Sequence, residues 1–435
     1  MRLLLYLGSE LLQKKVRANI IVHRLSCLPL RGIYSLLNVS TMNKRQMKYR
    51  RNYWIIVGAI LLLSSCSDVK RLKNETLQPY PTKVEMGIHY RLFHFSKDAS
   101  TLFVQSPATE YRVTIRVFES FRSKGLVYEN TVRIIAKANT VQKVLVPIRL
   151  QQYALEILVF NVDQNSTFRD AVLVDKSRFN QFILPMDEQN KPLLKSYKRV
   201  GERLKFLNTG EQKQLMIRYF STVFKPVLPP QFTQKSFFNP IAQGCDEVYL
   251  VDIDEYFTLK KEGLYFIQTD IHSSDGIYIK VVSDSYPKLS AVEDLTWSVR
   301  YITKNQEYER LTNDANDAKL ELDRFWLART EDKDRARILI STYYNRIQLA
   351  NEFFTTNKEG WKTDRGIIFT VFGKPTTVQK TATYEYWYYK RTSERDFVEF
   401  TFDRVNGLYL LRRNPAYTHP WNVEVFAWRS GRVYQ

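Results

Sequence analysis

Between residues 84 and 282 the chain is built of short runs of β-branched and aromatic residues, and near Leu289 that texture gives way to helical periodicity. This single change of texture restricts the fold more than any other feature. Segments 84–95, 101–105, 111–120, 131–135, 141–150 and 155–161, with 171–175 as a seventh, are rich in strand formers and partly alternate apolar with polar residues. In 112–119, Val113, Ile115 and Val117 face one way while Thr114, Arg116 and Phe118 face the other. Short strands so closely spaced predict an antiparallel β-sandwich over 83–177. Segments 182–185, 203–207, 214–220, 248–253, 263–269 and 277–282 predict a second over 178–288. Its long loop holds Pro226, Pro229, Pro230 and Pro240 with Phe232, Phe237 and Phe238, either to cover the sandwich or to meet a partner.

The last part, 289–435, reads as α+β. Helices are predicted over 315–328, with Asp314 as N-cap, and over 332–354. In the second, Ile340, Tyr343, Ile347, Ala350 and Phe354 recur at three- and four-residue steps, one stripe facing a core. Strands are expected at 367–372, 384–390, 397–402, 408–411 and 423–428. The fold class is therefore mainly β with an α+β C-terminal domain. Two antiparallel β-sandwich domains precede a helical pair packed on a small antiparallel sheet.

The front of the chain has a different character. Lys44, Arg45, Lys48, Arg50 and Arg51 precede an apolar run from Ile55 to Leu63, and Ser64, Ser65 and Cys66 follow. The run is too short for a stable span of roughly 20 residues. The tetrad Leu63-Ser64-Ser65-Cys66 resembles the bacterial lipobox, whose cysteine thiol receives a diacylglycerol and becomes the new N-terminus. The competing reading is a short anchor with an incidental cysteine. On the lipobox reading, 42–65 is a signal peptide starting at Met42 or Met47, and 1–41 is disordered upstream sequence from a start assigned too early. The polar segment 66–82 is then a lipidated tether. Asp68 stands alone after the cysteine, ahead of Lys70 and Arg71, so no acidic export run is present. The outer membrane, on its periplasmic rather than its cell-surface face, is the expected address.

Charge and cysteine usage fit that reading. Residues 1–65 hold eleven Lys or Arg against Glu10, so half of the net charge of +20 lies there. The remainder is moderately basic, which suits anionic envelope partners; nucleic acid is not expected for an exported, lipid-held protein. Beyond Cys66 the sole cysteine is Cys245, so the mature chain has no intrachain disulfide to draw on. None of His23, His89, His94, His272 and His419 has a second histidine at metal-ligand spacing. No nucleophile elbow, phosphate loop or dinucleotide fingerprint stands out. No catalytic residue, metal or cofactor is expected.

Gly360-Trp361-Lys362-Thr363-Asp364-Arg365-Gly366 lies between the helices and the last strands, and Phe372-Gly373-Lys374-Pro375 follows it. Upstream stand Phe325 and Trp326 on the first helix and Arg346 and Asn351 on the second. This set resembles the GWxTD domain, named for the motif that Gly360, Trp361, Thr363 and Asp364 complete. That family's usual layout is a lipoprotein signal, strand-rich segments and this terminal domain, and the resemblance implies an architecture rather than an activity. The residues themselves read mainly as structural. Trp361 is an apolar wedge with one N–H donor. Gly360 is suited to a backbone conformation closed to other residues. Thr363 and Asp364 can accept backbone N–H groups, and Asp364 with Arg365 offers a charge pair. Gly373 and Pro375 end a strand. The alternative is that Trp361, Asp364 and Arg365 line a groove, with Arg365 meeting a carboxylate or phosphate.

The expected function is that of a non-catalytic interaction or scaffold protein of the cell envelope. The sandwiches would form a stalk and the terminal domain a docking head for other envelope proteins. The alternative is a glycan-binding protein or hydrolase with its groove at the motif. Glycan binding predicts Tyr384, Tyr386 and Tyr388 in one solvent-exposed row, and a hydrolase predicts two carboxyl groups facing each other across a cleft.

Overall fold

A computed structural model describes residues 83–96, 98–120, 123, 125–221, 224–233, 244–313, 318–330, 332–381, 383–390 and 397–433. The expectations for 1–41, 42–65 and 66–82, including Leu63, Ser64, Ser65 and Cys66, lie outside those residues. So do Asp314 and the start of the helix expected at 315.

A single helical turn, α1 (Lys83–Met86), leads through Gly87 at φ 62° into the first strands. These are β1 (His89–His94), β2 (Ser100–Gln105), β3 (Glu110–Phe118), β4 (Leu126–Ile135), β5 (Val141–Val146), β6 (Gln152–Asn161) and β7 (Ser166–Asp175). They form two sheets, in the orders β1-β2-β5 and β4-β3-β6-β7, with every pairing antiparallel. Leu102, Val104 and Val144 of one sheet share a core with Val113, Ile115, Val117 and Ile157 of the other, which makes a sandwich. The alternation read from 112–119 is kept: Val113, Ile115 and Val117 are all fully buried.

After α2 (Phe179–Phe182) come β8 (Ile183–Met186), β9 (Tyr197–Arg199), β10 (Arg203–Asn208), β11 (Gln214–Phe220), β12 (Glu247–Asp252), β13 (Phe257–Thr258), β14 (Gly263–Gln268) and β15 (Ile277–Val282). The sheets β13-β10-β8 and β12-β11-β14-β15-β9 enclose Phe206, Ile217, Tyr265 and Ile279. One pairing departs from the antiparallel expectation, since β9 runs parallel to β15. Every residue of β14 and β15 is buried, so neither strand has a solvent face. Their second face is covered by Leu408 from the last part of the chain.

That last part holds α3 (Val292–Ser298), α4 (Asn305–Asn313), α5 (Ala318–Leu327), α6 (Lys333–Phe354), α7 (Asp364–Phe372), the meander β16 (Thr377–Lys380), β17 (Tyr384–Lys390), β18 (Phe397–Val405) and β19 (Leu408–Leu411), and α8 (Thr418–Arg429). Asp332 caps α6 by accepting from the Asp334 N–H at 2.9 Å. The core is aromatic: Tyr301, Trp326, Tyr343, Phe354, Trp361, Trp387, Trp421 and Trp428 are all buried in it.

Two expected strands are helices. Residues 367–372 lie in α7 and 423–428 in α8. The run Ile367 to Val371 is buried on all sides, and a short continuous apolar stretch shows no period that separates strand from helix. In α8, Trp421 and Trp428 are buried and Val425 packs partly on the same core, a helical spacing. Segment 84–95 is likewise a helical turn followed by a strand rather than one strand.

The three parts are joined through buried contacts. Phe93 and Phe103 of the first sandwich pack with Leu184 of the second. Glu352 on α6 meets His89 of β1 at 3.3 Å and Lys195, ahead of β9, at 2.9 Å. Lys380 of β16 meets Asp170 of β7 at 2.7 Å, and Lys280 of β15 meets Glu359 at 3.4 Å. The terminal part therefore rests on both sandwiches, unlike a head carried on a stalk.

Candidate functional site

The motif occupies the junction between the long helix α6 and the short buried helix α7. Gly360–Lys362 form a 3-10 turn, and Thr363 is the N-cap of α7. The turn is pinned to α6 by side chains of that helix and its end. Asn351 Oδ1 accepts from the Trp361 N–H at 3.1 Å, and Thr355 Oγ1 accepts from the Gly360 N–H at 3.1 Å. Thr363 Oγ1 donates to the Gly360 carbonyl at 2.7 Å and accepts from the Gly366 N–H at 3.1 Å. One hydroxyl thus closes the turn and caps the helix.

The two glycines of the motif are needed for contact, not for an unusual φ, which corrects the expectation for Gly360. Neither is among the positive-φ residues. A Cβ on Gly360 would lie 1.9 Å from the Ala350 carbonyl oxygen, and one on Gly366 would lie 1.8 Å from the Gly360 carbonyl oxygen. Gly373, by contrast, has φ 79° and closes a helix rather than a strand, its N–H donating to Phe369 O at 2.8 Å. Arg346 packs beneath it and donates to the carbonyls of Thr370 at 3.3 Å and Val371 at 3.1 Å, serving the open end of α7. Pro375 then leads into β16.

Trp361 is fully buried and edge-on to Tyr301, and its indole N–H has no hydrogen-bond partner among the described residues. It is a wedge first. Phe325 and Trp326 on α5 belong to the same core as Trp361, with Trp326 packing on Tyr343 and Tyr344.

Asp364 and Arg365 do not pair with each other. Asp364 accepts from Arg413 at 2.5 Å, and Arg413 also donates to the carbonyl of Pro229 at 2.8 Å. Burial raises the Asp364 carboxyl above its usual value, with Arg413 opposing. Arg365 lies flat on the Tyr409 ring, its guanidinium carbon 3.5 Å from the centroid. Its nearest anion is Glu385, at 3.7 Å.

Glu385 opens a buried polar cluster that sequence reasoning missed. It accepts from Trp387 Nε1 at 2.6 Å and lies 3.6 Å from Lys380, which also binds Asp170. Tyr90 of β1 donates to the same Asp170 at 2.6 Å. One signal was available: Glu385 shares the buried face of β17 with Trp387 and Tyr389, where an unpaired carboxylate would be costly. Burial opposes ionisation there, but Lys380 and Arg365 outweigh it and hold the Glu385 carboxyl at about 2.

Between the motif and the β18–β19 turn is a shallow pocket lined by Phe354, Asn357, Lys358, Thr363, Asp364, Arg365 and Tyr409, among others. The space open there to the centre of a water molecule is about 30 Å³. That holds a few atoms and not a sugar ring. The expected tyrosine row is only partly exposed. Tyr384, Tyr386 and Tyr388 share one face of β17 and are half-buried. Arg412 lies over Tyr384 at 4.3 Å, and Tyr388 packs against Phe397. Among the described residues no group of His, Cys, Asp and Glu is placed to hold a metal ion.

A family model described as the GWxTD domain matches residues 263–430. Residues 263–430 form a GWxTD domain. The match begins earlier than the sequence texture suggested, taking in β14 and β15 of the second sandwich. These are the two strands whose outer face is covered by β19, so the GWxTD domain as matched includes the sheet it packs on. No curated protein matches the chain. Among solved structures, a Salmonella alpha-2-macroglobulin variant aligns at 10% identity and a TM-score of 0.17, covering 47% of this chain. Trypsin-activated alpha-2-macroglobulin from Escherichia coli gives the same identity, score and coverage. This chain spans 17% of the length of either protein, and TM-scores so low do not mark a shared fold.

Proposed function

We propose that this chain is a non-catalytic interaction or scaffold protein of the bacterial cell envelope, anchored to the periplasmic face of the outer membrane by a lipid on Cys66. The observation that carries this reading is the order of residues 44–66: five cations, a short apolar run, two serines and a cysteine. A lipid at Cys66 holds one end of a water-facing body at the bilayer, with 66–82 as the tether. The ion pairs that join the GWxTD domain to both sandwiches, partly exposed at Lys195–Glu352 and buried at Lys380–Asp170, favour a single body that presents one composite surface over the stalk-and-head picture. Partners are other envelope proteins, met at short range because the tether confines the protein to the membrane.

The test is Cys66→Ser in the full chain expressed in a diderm host. Wild type is expected to incorporate radiolabelled fatty acid and to sediment with outer membranes. The variant should remain unprocessed and lose the label. Labelling that persists without Cys66, or wild-type protein that never reaches the outer-membrane fraction, overturns the reading.

A further inference from the structure

The cluster behind the motif carries more positive charge than its anions neutralise. Arg365, Lys380 and Arg404 gather around Asp170 and Glu385, three cations to two anions, while burial and the neighbouring cations lower the Lys83 pKa to about 7. Asp170, Glu385 and Arg365 keep 1%, 3% and 6% of their side-chain surface, so water screens little of this excess. Among the described residues the Arg365 side chain makes no hydrogen bond: Glu385 is an ion-pair partner at 3.7 Å, beyond hydrogen-bond reach, and is already engaged by Trp387. A guanidinium with five donors, almost fully buried and without a side-chain hydrogen bond among the described residues, has donors to offer a bound acceptor.

The position of Arg365 shows where that acceptor would sit. Its side chain lines the pocket beside the motif, lying between Tyr409 and Phe354, which line the same space. Lys83 also lies over the Phe354 ring, 5.9 Å from its centroid. Lys358 also lines the pocket, is buried, and spends one donor on the Lys225 carbonyl at 3.3 Å. The anion already present, Asp364, is taken by Arg413. The pocket also lies at the N-terminal end of α7, where the helix dipole favours negative charge.

We propose that this pocket binds a single oxyanion group, a carboxylate or a phosphate, held by the fork of Arg365 and by the Lys358 ammonium. The space suits such a group and excludes larger rings. The site goes beyond the scaffold reading and does not depend on it, since the anion is read by the folded domain whether or not Cys66 is acylated.

The experiment titrates the full chain with orthophosphate and, separately, with acetate at constant ionic strength, by calorimetry and by amide shifts in NMR. Saturable 1:1 binding of at least one is expected, with shifts centred on residues 357–358 and 363–366. Which anion binds distinguishes a phosphate from a carboxylate source. Lys358→Met should weaken binding by about tenfold while still unfolding in one cooperative transition, and Arg365→Gln should abolish binding. Failure of both anions to saturate overturns the site. Shifts scattered over surface lysines, or equal affinity in a folded Lys358→Met variant, mean an adventitious ion only and also overturn it. The wild-type shifts locate the site even where a variant fails to fold.

Discussion

Gly366 and Gly407 lie some forty residues apart in the GWxTD domain and are glycine for different reasons. At Gly407 the backbone has φ 78° and an added Cβ would meet nothing within 4 Å. At Gly366 the added atom would strike the Gly360 carbonyl, the same oxygen that Thr363 donates to. Gly407→Ala is therefore expected to cost about 1 kcal/mol of backbone strain. Gly366→Ala should cost roughly 4 kcal/mol or more, because the 3-10 turn must leave α6 to make room. Urea unfolding of both variants checks this, and equal losses would refute the close-packing account. The sequence suggested glycine at these positions without the reason. A close approach between two backbones has no local signature, whereas the Asn406-Gly407 turn can be read directly as a dipeptide.

At the scale of elements, α6 links the other parts of the molecule through Glu352. Its carboxyl is held at about 2, first by the hydrogen bond from His89 and then, against the cost of burial, by Lys195. Burial lowers the His89 pKa in turn, so near neutral pH a neutral imidazole donates its N–H and Lys195 supplies the charge. For Glu352 the folded value lies below the ordinary 4.5, so its contribution is complete above pH 4.5 and is lost as the pH falls toward 2. For His89 the unfolded chain takes up a proton more readily than the folded one, so stability begins to fall below about 6.5. Glu352→Gln should cost about 1 to 2 kcal/mol at pH 7 and little at pH 2. The comparison is made by urea unfolding at the two pH values, and an equal loss at both would show that the carboxylate charge is not what matters. The stripe on α6 was legible because 22 residues without Gly or Pro keep one period. The strand predicted for 367–372 failed because a helix buried on every side shows no period.

For the whole molecule the question is whether the sandwiches and the GWxTD domain unfold together. Asp170 keeps 1% of its side-chain surface and is shared by Tyr90 and Lys380, one from each side of the junction. Lys380→Met leaves that carboxylate buried without its cation, which is expected to cost about 3 to 5 kcal/mol. Scanning calorimetry should show one transition in wild type. In the variant that transition should move down as a whole or split into sandwich and terminal components. A wild-type scan already resolved into separate transitions would rule out the coupled body.

The sequence alone determined the features that depend on neighbours in the chain. These are the alternation of β3, the stripe of α6, the turn at Asn406 and the motif by which the GWxTD domain is recognised. Each rests on a period or a dipeptide that acts within a few residues. Only the tertiary structure decided the rest. It showed that β14 and β15 are buried on both faces, that Asp364 pairs with Arg413 and not with its neighbour, and that Arg365 lies on Tyr409 beside an excess of positive charge. Those outcomes depend on which distant side chains share a low-dielectric space, and burial sets the energy of a charge far more than its place in the chain does.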